Sequence, residues 1–528
     1  MAEGEELKPA LLCAAACLIC TAQTYDLVIT GARVVDGTGS PWYRADVAVL
    51  QGRIAAIGSL SSVAAAVRIS ADGLVVAPGF IDMHSHAGRS VDGNPLLESL
   101  ARQGITTLLE GQDGGSPIPL RPALDKLQAL RPALNFGYFA GHNAIRSTVM
   151  GSENRHATAA EIDRMKALAR EAMVDGAFGL STGLFYVPGN YAPTEEVIQL
   201  ARVVAPFGGM HISHIRDEAS GVLDSVRETI RIGEQGGVPT QVTHHKIIGK
   251  AYWGRSKQTL HLVDEARARG VDVTIDQYPY TASSTGTAAL FPQWSLSGGA
   301  KALAERVNAP ESRARIKAEI ARRIREDRGG GDPANVQFAS CGFDRSLDGK
   351  TLSDATRAAG LEPTPENAAD TMISLQLKGG CSAIYHAIGE EDVVRILQSP
   401  NTMVATDGHA PVPGDGVPHP RSYGTFPRVL GRYVRDRKIL TLEEAIRRMT
   451  GLPASRLKLQ DRGLIRVGMS ADLVAFDPAT ITDRSEFARP HQYSEGVRHL
   501  IVNGVPVLRD GVMTGERPGK VLFGPGRR

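Results

Sequence analysis

Short apolar runs alternate with longer amphipathic stretches through the middle of the chain. Each run is followed by about a dozen residues with helical spacing, which is the pattern of βα units around a parallel sheet. Eight parallel strands followed by helices predict an α/β fold, a (β/α)8 TIM-like barrel. The eight predicted strands are Gly79–Asp82, Ile105–Leu109, Asn135–Phe139, Ala177–Leu180, Gly209–Ile212, Thr240–Thr243, Val271–Ile275 and Asn401–Ala405.

The two ends of the chain have a different pattern. Near the N-terminus, Tyr25–Asp36, Ala45–Leu50 and Arg53–Ile57 read as short strands, and Gln51-Gly52 is typical of a hairpin turn. The C-terminal segment has the same character, with Asn503-Gly504 at a turn. We therefore predict a small β-sandwich domain that is built from both ends of the chain.

These patterns define the predicted domain limits. The β-domain comprises residues 25–75 and 456–528, and the barrel comprises residues 76–455. An insertion at about residues 291–380 separates barrel strands seven and eight. It contains a helix of mixed charge, Ala314–Arg328, whose charged face we expect to lie in solvent. An insertion on the active face of a barrel can act as a lid.

Residues 1–24 have features of a signal peptide. Lys8 precedes the apolar run Ala10–Cys20, which is too short to span a bilayer, and the small residues Thr21-Ala22 follow it. The preceding acidic residues are unusual for such a segment. We expect a periplasmic or secreted protein, with a cytoplasmic location as the alternative.

Composition narrows the class of protein further. The chain of 528 residues is 42% hydrophobic and 22% charged, which are ordinary globular values. Its net charge of +2 gives no electrostatic argument for a nucleic-acid or membrane partner, and we expect neither. Three of the five cysteines lie before residue 24. Only Cys341 and Cys381 remain, so we expect a fold that needs no disulfide.

Ionisable residues gather where the predicted strands end, which is the active face of a barrel. His84 and His86 follow the first strand, His214 and His244 follow the fifth and sixth, and Asp407 follows the eighth. Alternate residues of a strand share a face, so His84 and His86 can bind one ion. Imidazoles and carboxylates suit Zn²⁺. A carboxylate beside the metal can take a proton from water and pass it to a leaving amine, and we assign this catalytic role to Asp407.

Several segments extend this pattern to a family resemblance. Pro78–His86 resembles the signature of the amidohydrolase superfamily. The chain also resembles the superfamily's N-acyl-D-amino-acid deacylase (D-aminoacylase) branch over about residues 25–525. The segments that carry this second resemblance are His211–Glu218, Val242–Lys246, Asp276–Ser284, Ala405–Gly408 and His419–Arg428.

The resemblance implies a metal centre with two subsites and one or two zinc ions. His84 and His86 would line one subsite beside Asp407, and His214 and His244 would form the other. His245 points away by strand alternation and is left out.

The chain departs from the family pattern after the second strand. Asp113 stands where the family usually has a cysteine ligand. We favour Asp113 as a carboxylate that bridges two ions, with Glu110 as its rival.

The resemblance also implies how substrate binds. Lys246, Tyr278, Ser284 and Arg421 match the positions that bind the substrate carboxylate, and an arginine fork suits that group well. We therefore predict zinc-dependent hydrolysis of the amide bond of small-molecule N-acyl-D-amino acids. The alternatives are a dipeptidase acting on D-configured or unusual dipeptides and a cyclic-amide hydrolase of the same superfamily. Relatives of the second kind place a lysine at the end of strand four, where this chain has Gly179–Gly183.

Overall fold

The computed structural model describes residues 24–527, so the predicted signal segment and its three cysteines lie outside the described residues. The strands are β1 (Tyr25–Val34), β2 (Tyr43–Leu50), β3 (Arg53–Gly58), β4 (Ala65–Ser70), β5 (Val75–Pro78), β6 (Phe80–Asp82), β7 (Ile105–Glu110), β8 (Asn135–Tyr138), β9 (Ala140–Gly141), β10 (Gly179–Gly183), β11 (Met210–His214), β12 (Thr240–Val242), β13 (Val273–Gln277), β14 (Ser283–Gly286), β15 (Val336–Ser340), β16 (Ser382–Tyr385), β17 (Thr402–Val404), β18 (Leu473–Phe476), β19 (Val497–Val502), β20 (Val505–Arg509) and β21 (Val512–Met513).

The α-helices are α1 (Glu98–Ala101), α2 (Arg121–Leu130), α3 (His142–Met150), α4 (Ala159–Asp175), α5 (Thr194–Val204), α6 (Val222–Gly236), α7 (Ser256–Ala268), α8 (Gly299–Asn308), α9 (Pro310–Glu326), α10 (Leu352–Ala358), α11 (Pro365–Leu377), α12 (Glu390–Gln398), α13 (Arg421–Arg428), α14 (Leu442–Met449) and α15 (Gly451–Arg456). Among the described residues, none of these helices combines the length and the apolar character that a membrane span requires.

Both ends of the chain contribute to one β-domain, as predicted. Its strands form a nine-stranded sheet in the order β21-β20-β19-β18-β5-β1-β2-β3, with β4 paired to β1. Leu27 and Ile29 of β1 pack in the same core as Leu473 and Ile501. The strands share one hydrogen-bonded sheet and do not form the two separate sheets that the predicted sandwich implies. The reason is that β5 joins the halves by pairing with β1 on one side and β18 on the other.

The middle of the chain forms a barrel of parallel strands in chain order. Each predicted barrel strand overlaps an observed one: β6, β7, β8 with β9, β10, β11, β12, β13 and β17. The hydrogen-bonded ladders divide them into a three-stranded sheet, β6-β7-β8, and a six-stranded sheet, β9-β10-β11-β12-β13-β17. The barrel is therefore not the single uninterrupted ladder that eight regular strands would give.

Backbone hydrogen bonds cross both gaps between these sheets. At one gap, the Phe178 amide donates to the Tyr138 carbonyl at 2.8 Å. At the other, the Asp407 amide donates to the His84 carbonyl at 2.8 Å, and the His86 amide donates to the Gly408 carbonyl at 2.7 Å. The first and last strands therefore meet at the level where His84, His86 and Asp407 leave the barrel.

Local sequence determines how the outer helices begin and end. Thr158 caps α4 in a capping box with Glu161. The side chain of each residue accepts a hydrogen bond from the backbone amide of the other. The helix ends at Gly176, whose φ of 114° is a conformation that residues with a side chain rarely adopt.

The insertion between β13 and β17 forms a layer with its own core. Its strands make a small antiparallel sheet in the order β14-β16-β15. Because β14 begins at Ser283 and β16 ends at Tyr385, the layer extends beyond the predicted limits of about 291–380 at both ends. The predicted helix Ala314–Arg328 corresponds to α9, which ends at Glu326. Ile316, Ile320 and Ile324 of α9 are fully buried at helical spacing. The expectation that the predicted helix's charges face solvent is wrong for Arg323 and Arg328, because both are buried. Arg323 lies within α9, and Arg328 lies beyond its end.

A disulfide joins Cys341 to Cys381, with their Cα atoms 4.4 Å apart. The sequence analysis did not predict this bond, because it concluded only that a chain of this length needs no disulfide. Ser340 and Ser382 are paired across β15 and β16, so the two cysteines that flank these strands lie side by side. This proximity depends on strand register, which cysteine spacing does not reveal.

A buried network of hydrogen bonds and one ion pair connects the barrel to the β-domain. The Asp472 carboxylate forms an ion pair with Arg462 and accepts hydrogen bonds from the Asn135 side chain at 3.1 Å and the Asn503 amide at 2.6 Å. Asn503 also donates from its side chain to Asn135 at 2.7 Å. Asn135 begins a barrel strand, whereas Asn503 sits in the β19–β20 turn. The network therefore links the two layers through one carboxylate.

Removal of Arg462 tests this link. In Arg462→Ala, the buried Asp472 carboxylate loses its cation, so we expect the free energy of unfolding to fall by about 3–5 kcal/mol. Chemical denaturation followed by circular dichroism measures the change. The control is Arg484→Ala, which removes an exposed pair with Glu495 and should cost less than about 1 kcal/mol. Equal effects of the two substitutions would contradict the assignment.

Candidate metal centre

A cavity of about 580 Å³ opens at the carboxyl ends of the barrel strands. The structure brings together the ionisable residues that the sequence placed at five strand ends. The cavity walls include His86, Asp113, His214, His244 and Asp407, and His84 lies directly beneath them with no exposed surface. The predicted substrate-binding residues Lys246, Tyr278, Ser284 and Arg421 line the same cavity.

The candidate ligands form two groups that share one carboxylate. The first group is His84, His86, Asp113 and Asp407, and the second is Asp113, His214 and His244. Within each group, the potential ligand atoms all lie within 4.8 Å of one another. Asp113 is the shared member, as expected of a bridging ligand.

The carboxylate of Asp113 faces histidines from both groups. Its Oδ1 lies 3.3 Å from His244 Nε2 and 3.4 Å from His214 Nδ1. Its Oδ2 lies 3.4 Å from His86 Nε2. This arrangement allows the two oxygens of one side chain to serve two neighbouring cation sites.

Glu110, the rival to Asp113, belongs to neither group. Its side chain is buried near Gly88 and the Tyr138 hydroxyl, and burial raises its pKa. His245 also lies outside both groups, and its Nε2 is 2.7 Å from the Thr259 hydroxyl. The structure thus favours Asp113 as the bridging residue and agrees with the omission of His245.

The donor set fits a divalent cation. Both ring nitrogens of His84 and Nε2 of His214 are buried and have no hydrogen-bond partner within residues 24–527. Burial lowers the pKa of His86, but Asp113 and Asp407 raise it to about 9. The carboxylates thus create a local environment that favours positive charge. Neutral imidazoles and carboxylates at this spacing suit zinc.

Asp407 is held as a carboxylate between the metal group and an arginine. Burial alone would raise its pKa, but the Arg421 guanidinium and His84 hold the pKa below its ordinary value. Arg421 donates to Asp407 Oδ2 at 2.6 Å, and Asp407 Oδ1 lies 3.1 Å from His86 Nε2. One oxygen is therefore anchored, and the other faces the candidate metal site.

Comparisons with known proteins agree with this geometry. A model of the amidohydrolase family matches residues 68–508. The chain is 37% identical to a D-aminoacylase of Alcaligenes xylosoxydans xylosoxydans, over 95% of this chain and 98% of the relative.

This chain belongs to the amidohydrolase family.

Other members of the amidohydrolase family are equally similar along the whole chain. An N-acyl-D-glutamate deacylase of Alcaligenes xylosoxydans xylosoxydans is 38% identical, over 94% of this chain and 96% of the relative. The crystal structure of an N-acyl-D-glutamate deacylase from Bordetella bronchiseptica, complexed with zinc and a phosphonate inhibitor, is 36% identical. It has a TM-score of 0.82 and covers 95% of this chain and 100% of that chain. The resemblance inferred from sequence motifs is confirmed.

Two charged residues of this amidohydrolase cavity were missed by the sequence analysis. Glu218 forms a buried ion pair with Lys246, and its Oε2 accepts from Arg328 at 2.9 Å. Burial alone would raise the pKa of Glu218, but Lys246 and His214 hold it well below its ordinary value. Glu218 ends a segment that resembles the family, and this could have identified it. No sequence pattern identified Arg328, because it lies in the insertion and outside the segments that resemble the family.

The predicted substrate-binding residues differ in whether their polar atoms already have protein partners. Arg421 is already engaged, with one nitrogen on Asp407 and another 3.3 Å from the Ser284 carbonyl. Lys246 Nζ lies 2.8 Å from His244 Nδ1 in addition to its pair with Glu218. The Tyr278 hydroxyl, by contrast, is buried with no hydrogen-bond partner among the residues that the structure describes. Tyr278 therefore has a donor available for a ligand, whereas two nitrogens of Arg421 already have protein partners.

Replacement of the two rival carboxylates separates their roles. In Asp113→Ala, both candidate metal groups lose a ligand, so we expect zinc affinity to fall by more than about 100-fold. Glu110→Ala should lower zinc affinity by less than about 10-fold, because Glu110 belongs to neither ligand group and loss of even a residue that supports a ligand from outside typically costs only about 10–100-fold. Zinc titration with a competing chelator gives both values. The opposite order would identify Glu110 as the ligand.

Proposed function

We propose that this protein is a zinc-dependent deacylase that hydrolyses N-acyl-D-amino acids to a carboxylate and a free D-amino acid. The observation that carries the proposal is Asp113, shared by two His-containing groups, with Asp407 at their edge. The near full-length relatives named as D-aminoacylase and as N-acyl-D-glutamate and N-acyl-D-aspartate deacylases support the substrate class.

Bound zinc would polarise the acyl carbonyl and lower the pKa of a water molecule at the site. The residues that would hold it are those of the two groups: His84, His86, Asp113, His214, His244 and Asp407.

Asp407 is placed to move the proton in this reaction. Because Arg421 holds its Oδ2, Oδ1 of Asp407 faces His84 and His86, beside the position where the attacked carbonyl would lie. Asp407 Oδ1 accepts the proton of the attacking water and then delivers it to the departing amine nitrogen. The low pKa of Asp407 keeps it ionised over the whole neutral range.

The substrate's α-carboxylate has a site of suitable charge. Lys246 and Arg328 carry two positive charges and Glu218 one negative charge, so this buried triad has one net positive charge. A single carboxylate would neutralise it, and the free Tyr278 hydroxyl can donate to that carboxylate. Fixing the carboxylate there orients the amide toward the metal groups.

The insertion supplies part of this binding site. Ser284, Arg328 and Ser382 come from the insertion and line the cavity together with the barrel residues. We propose that the insertion acts as a lid that limits access of bulk water to the reacting amide.

The reaction class is tested by release of free amino acids from paired N-acetyl-D- and N-acetyl-L-amino acids. We expect release from the D series, with much slower release from L-amino acids, D-configured dipeptides and cyclic amides. Zinc content is measured on the same sample. Zinc without release from the D series would refute the proposal, and rapid hydrolysis of dipeptides or cyclic amides would replace it with one of those activities.

Asp407→Asn tests the assigned proton transfer. The amide cannot accept a proton, so we expect kcat to fall by at least about 100-fold. Zinc should remain in the group formed by Asp113, His214 and His244. Asp415→Asn is the matched control, because Asp415 lies on the same loop but is exposed and pairs with Arg345. Its kcat should equal that of the parent. Near-normal turnover in Asp407→Asn would rule out the role.

A further inference from the structure

A buried carboxylate lies behind the candidate metal centre. Asp276, in β13, has no exposed surface and does not line the cavity. Its Oδ1 accepts a hydrogen bond from the backbone amide of His244 at 2.6 Å, and its Oδ2 accepts one from the Gln241 side chain. Asp276 belongs to neither candidate ligand group. It therefore supports the ligands from behind without being one of them.

The imidazole of His84 lies between this carboxylate and the candidate metal site. Its Nε2 is 3.4 Å from Asp407 Oδ1 and 3.5 Å from Asp113 Oδ1. Its Nδ1 is instead 4.0 Å from Asp276 Oδ1. Among the described residues, Asp276 is the only one whose carboxylate comes within 4.0 Å of this nitrogen. Nε2 is thus the nitrogen of His84 that faces the ion site, and Nδ1 faces Asp276.

The chemistry of a zinc-binding histidine gives this placement a consequence. Such a histidine almost always donates the N–H of its second ring nitrogen to an acceptor, and this bond fixes the tautomer and the direction of the ring. His84 has no such bond, because neither of its ring nitrogens has a hydrogen-bond partner within residues 24–527. A carboxylate oxygen can accept two hydrogen bonds, so Asp276 can accept from His84 and keep the His244 amide. The 4.0 Å separation exceeds a hydrogen bond by about 1 Å, which a small rotation of the ring can close.

Asp276 lacks the basic partner that other buried carboxylates of this region have. Asp407 pairs with Arg421, and Glu218 pairs with Lys246. In the part of the chain that the structure describes, no lysine or arginine nitrogen lies within 4.0 Å of the Asp276 carboxylate. Burial of a carboxylate is strongly unfavourable unless a cation or hydrogen-bond donors compensate it. The neighbouring imidazole and the ion that it would bind can supply the positive charge.

The second ligand group has a comparable arrangement. His214 Nδ1 faces Asp113 at 3.4 Å, whereas its Nε2 lies 3.8 Å from Glu218 Oε2. His244 Nε2 faces Asp113 at 3.3 Å, whereas its Nδ1 lies 3.3 Å from Glu218 Oε1. In each group, a buried carboxylate therefore lies near the histidine nitrogen that does not face Asp113.

We propose that Asp276 is a positioning residue that accepts a hydrogen bond from Nδ1 of His84 and so keeps Nε2 available to bind zinc. Through the His244 amide, the same carboxylate also holds a residue of the second ligand group, so Asp276 links the two groups. The inference rests on the proposed zinc-dependent function for the identity of the ion. It goes beyond that function, because Asp276 is neither a candidate ligand nor part of the cavity wall.

Asp276→Asn tests this role with little change in shape. The amide oxygen can still accept from the His244 backbone, but the negative charge that faces His84 is lost. We therefore expect the affinity for zinc, measured with a competing chelator, to fall by at least about 10-fold. The visible absorption spectrum of the Co²⁺-loaded enzyme should change as well, because the donor strength of His84 changes. Zinc affinity within about threefold of the parent, with an unchanged cobalt spectrum, would overturn the inference.

Asp392→Asn is the matched control. Asp392 is also buried, and its carboxylate accepts hydrogen bonds from the backbone amides of Gly254 and Ser256, but it belongs to neither ligand group. The control makes the same chemical change at a buried carboxylate away from the ligands, so zinc affinity and the cobalt spectrum should equal those of the parent. Equal losses of zinc affinity in the two variants would show a general loss of stability and would contradict a specific role for Asp276.

A measurement on the unsubstituted enzyme keeps the inference testable if Asp276→Asn does not fold. In a crystal structure of the zinc-loaded enzyme, His84 Nδ1 should lie about 2.7–3.2 Å from Asp276 Oδ1. A separation that stays at 4.0 Å, or an ion bound to Nδ1, would overturn the inference. None of these measurements uses a substrate, so absence of amino-acid release would refute the deacylase function and leave the role of Asp276 to be decided by the metal data. A parent enzyme that binds no zinc would overturn both.

Discussion

The arrangement of the whole site depends on one carboxylate, that of Asp113, which faces histidines from three different strand ends. A carboxylate can serve both candidate ion sites only if the loop after β7 brings it to the barrel axis. Asp113 adopts a φ of 54°, and Gly111 and Gly114 on either side also have positive φ values. A Cβ at Gly114 would lie 2.1 Å from the Asn143 side chain. The turn that delivers Asp113 thus requires glycine beside it.

Backbone strain and buried charge concentrate at this end of the barrel. His244 and Asp407 also have positive φ values, which are unusual for residues with side chains. Two separate buried ion pairs, Asp407 with Arg421 and Glu218 with Lys246, lie within the same cavity wall. Such pairs contribute little to stability because of their desolvation cost, so the β-domain and the apolar layers must stabilise the fold. The strained backbone and the buried charges at this end of the barrel therefore belong to residues that the proposed reaction uses.

Sequence analysis was informative where the two-residue repeat of a strand determines which face a residue occupies. Strand alternation placed His84 and His86 on one face and excluded His245, and every predicted barrel strand overlaps an observed one. The glycine-containing turns predicted the short strands of the β-domain. The preference for Asp113 over Glu110 agrees with the two ligand groups.

The features that sequence analysis missed depend on long-range packing. Arg328 reaches Glu218 across 110 residues of the chain, and no local pattern distinguishes it from the exposed charges of α9. The Cys341–Cys381 pair depends on the register of β15 and β16. The hydrogen bond from Arg421 to Asp407 was not expected, because it depends on how the loop after β17 packs against α13. Residue type identified these groups as ionisable, whereas only the fold assigned their partners.

The cavity wall is formed by residues of the barrel and residues of the insertion, and these two sets are under different structural constraints. The candidate ligands and Asp407 leave barrel strands, whose positions are coupled through parallel ladders and through the contacts between the first and last strands. A shift of one strand would move several ligands at once. Ser284, Arg328 and Ser382 of the cavity wall come from the insertion, which has its own core and can change side chains without moving a barrel strand. On the proposed function, the barrel therefore constrains the metal ligands and the proton transfer, whereas the part of the substrate site that the insertion supplies is not tied to the position of a barrel strand.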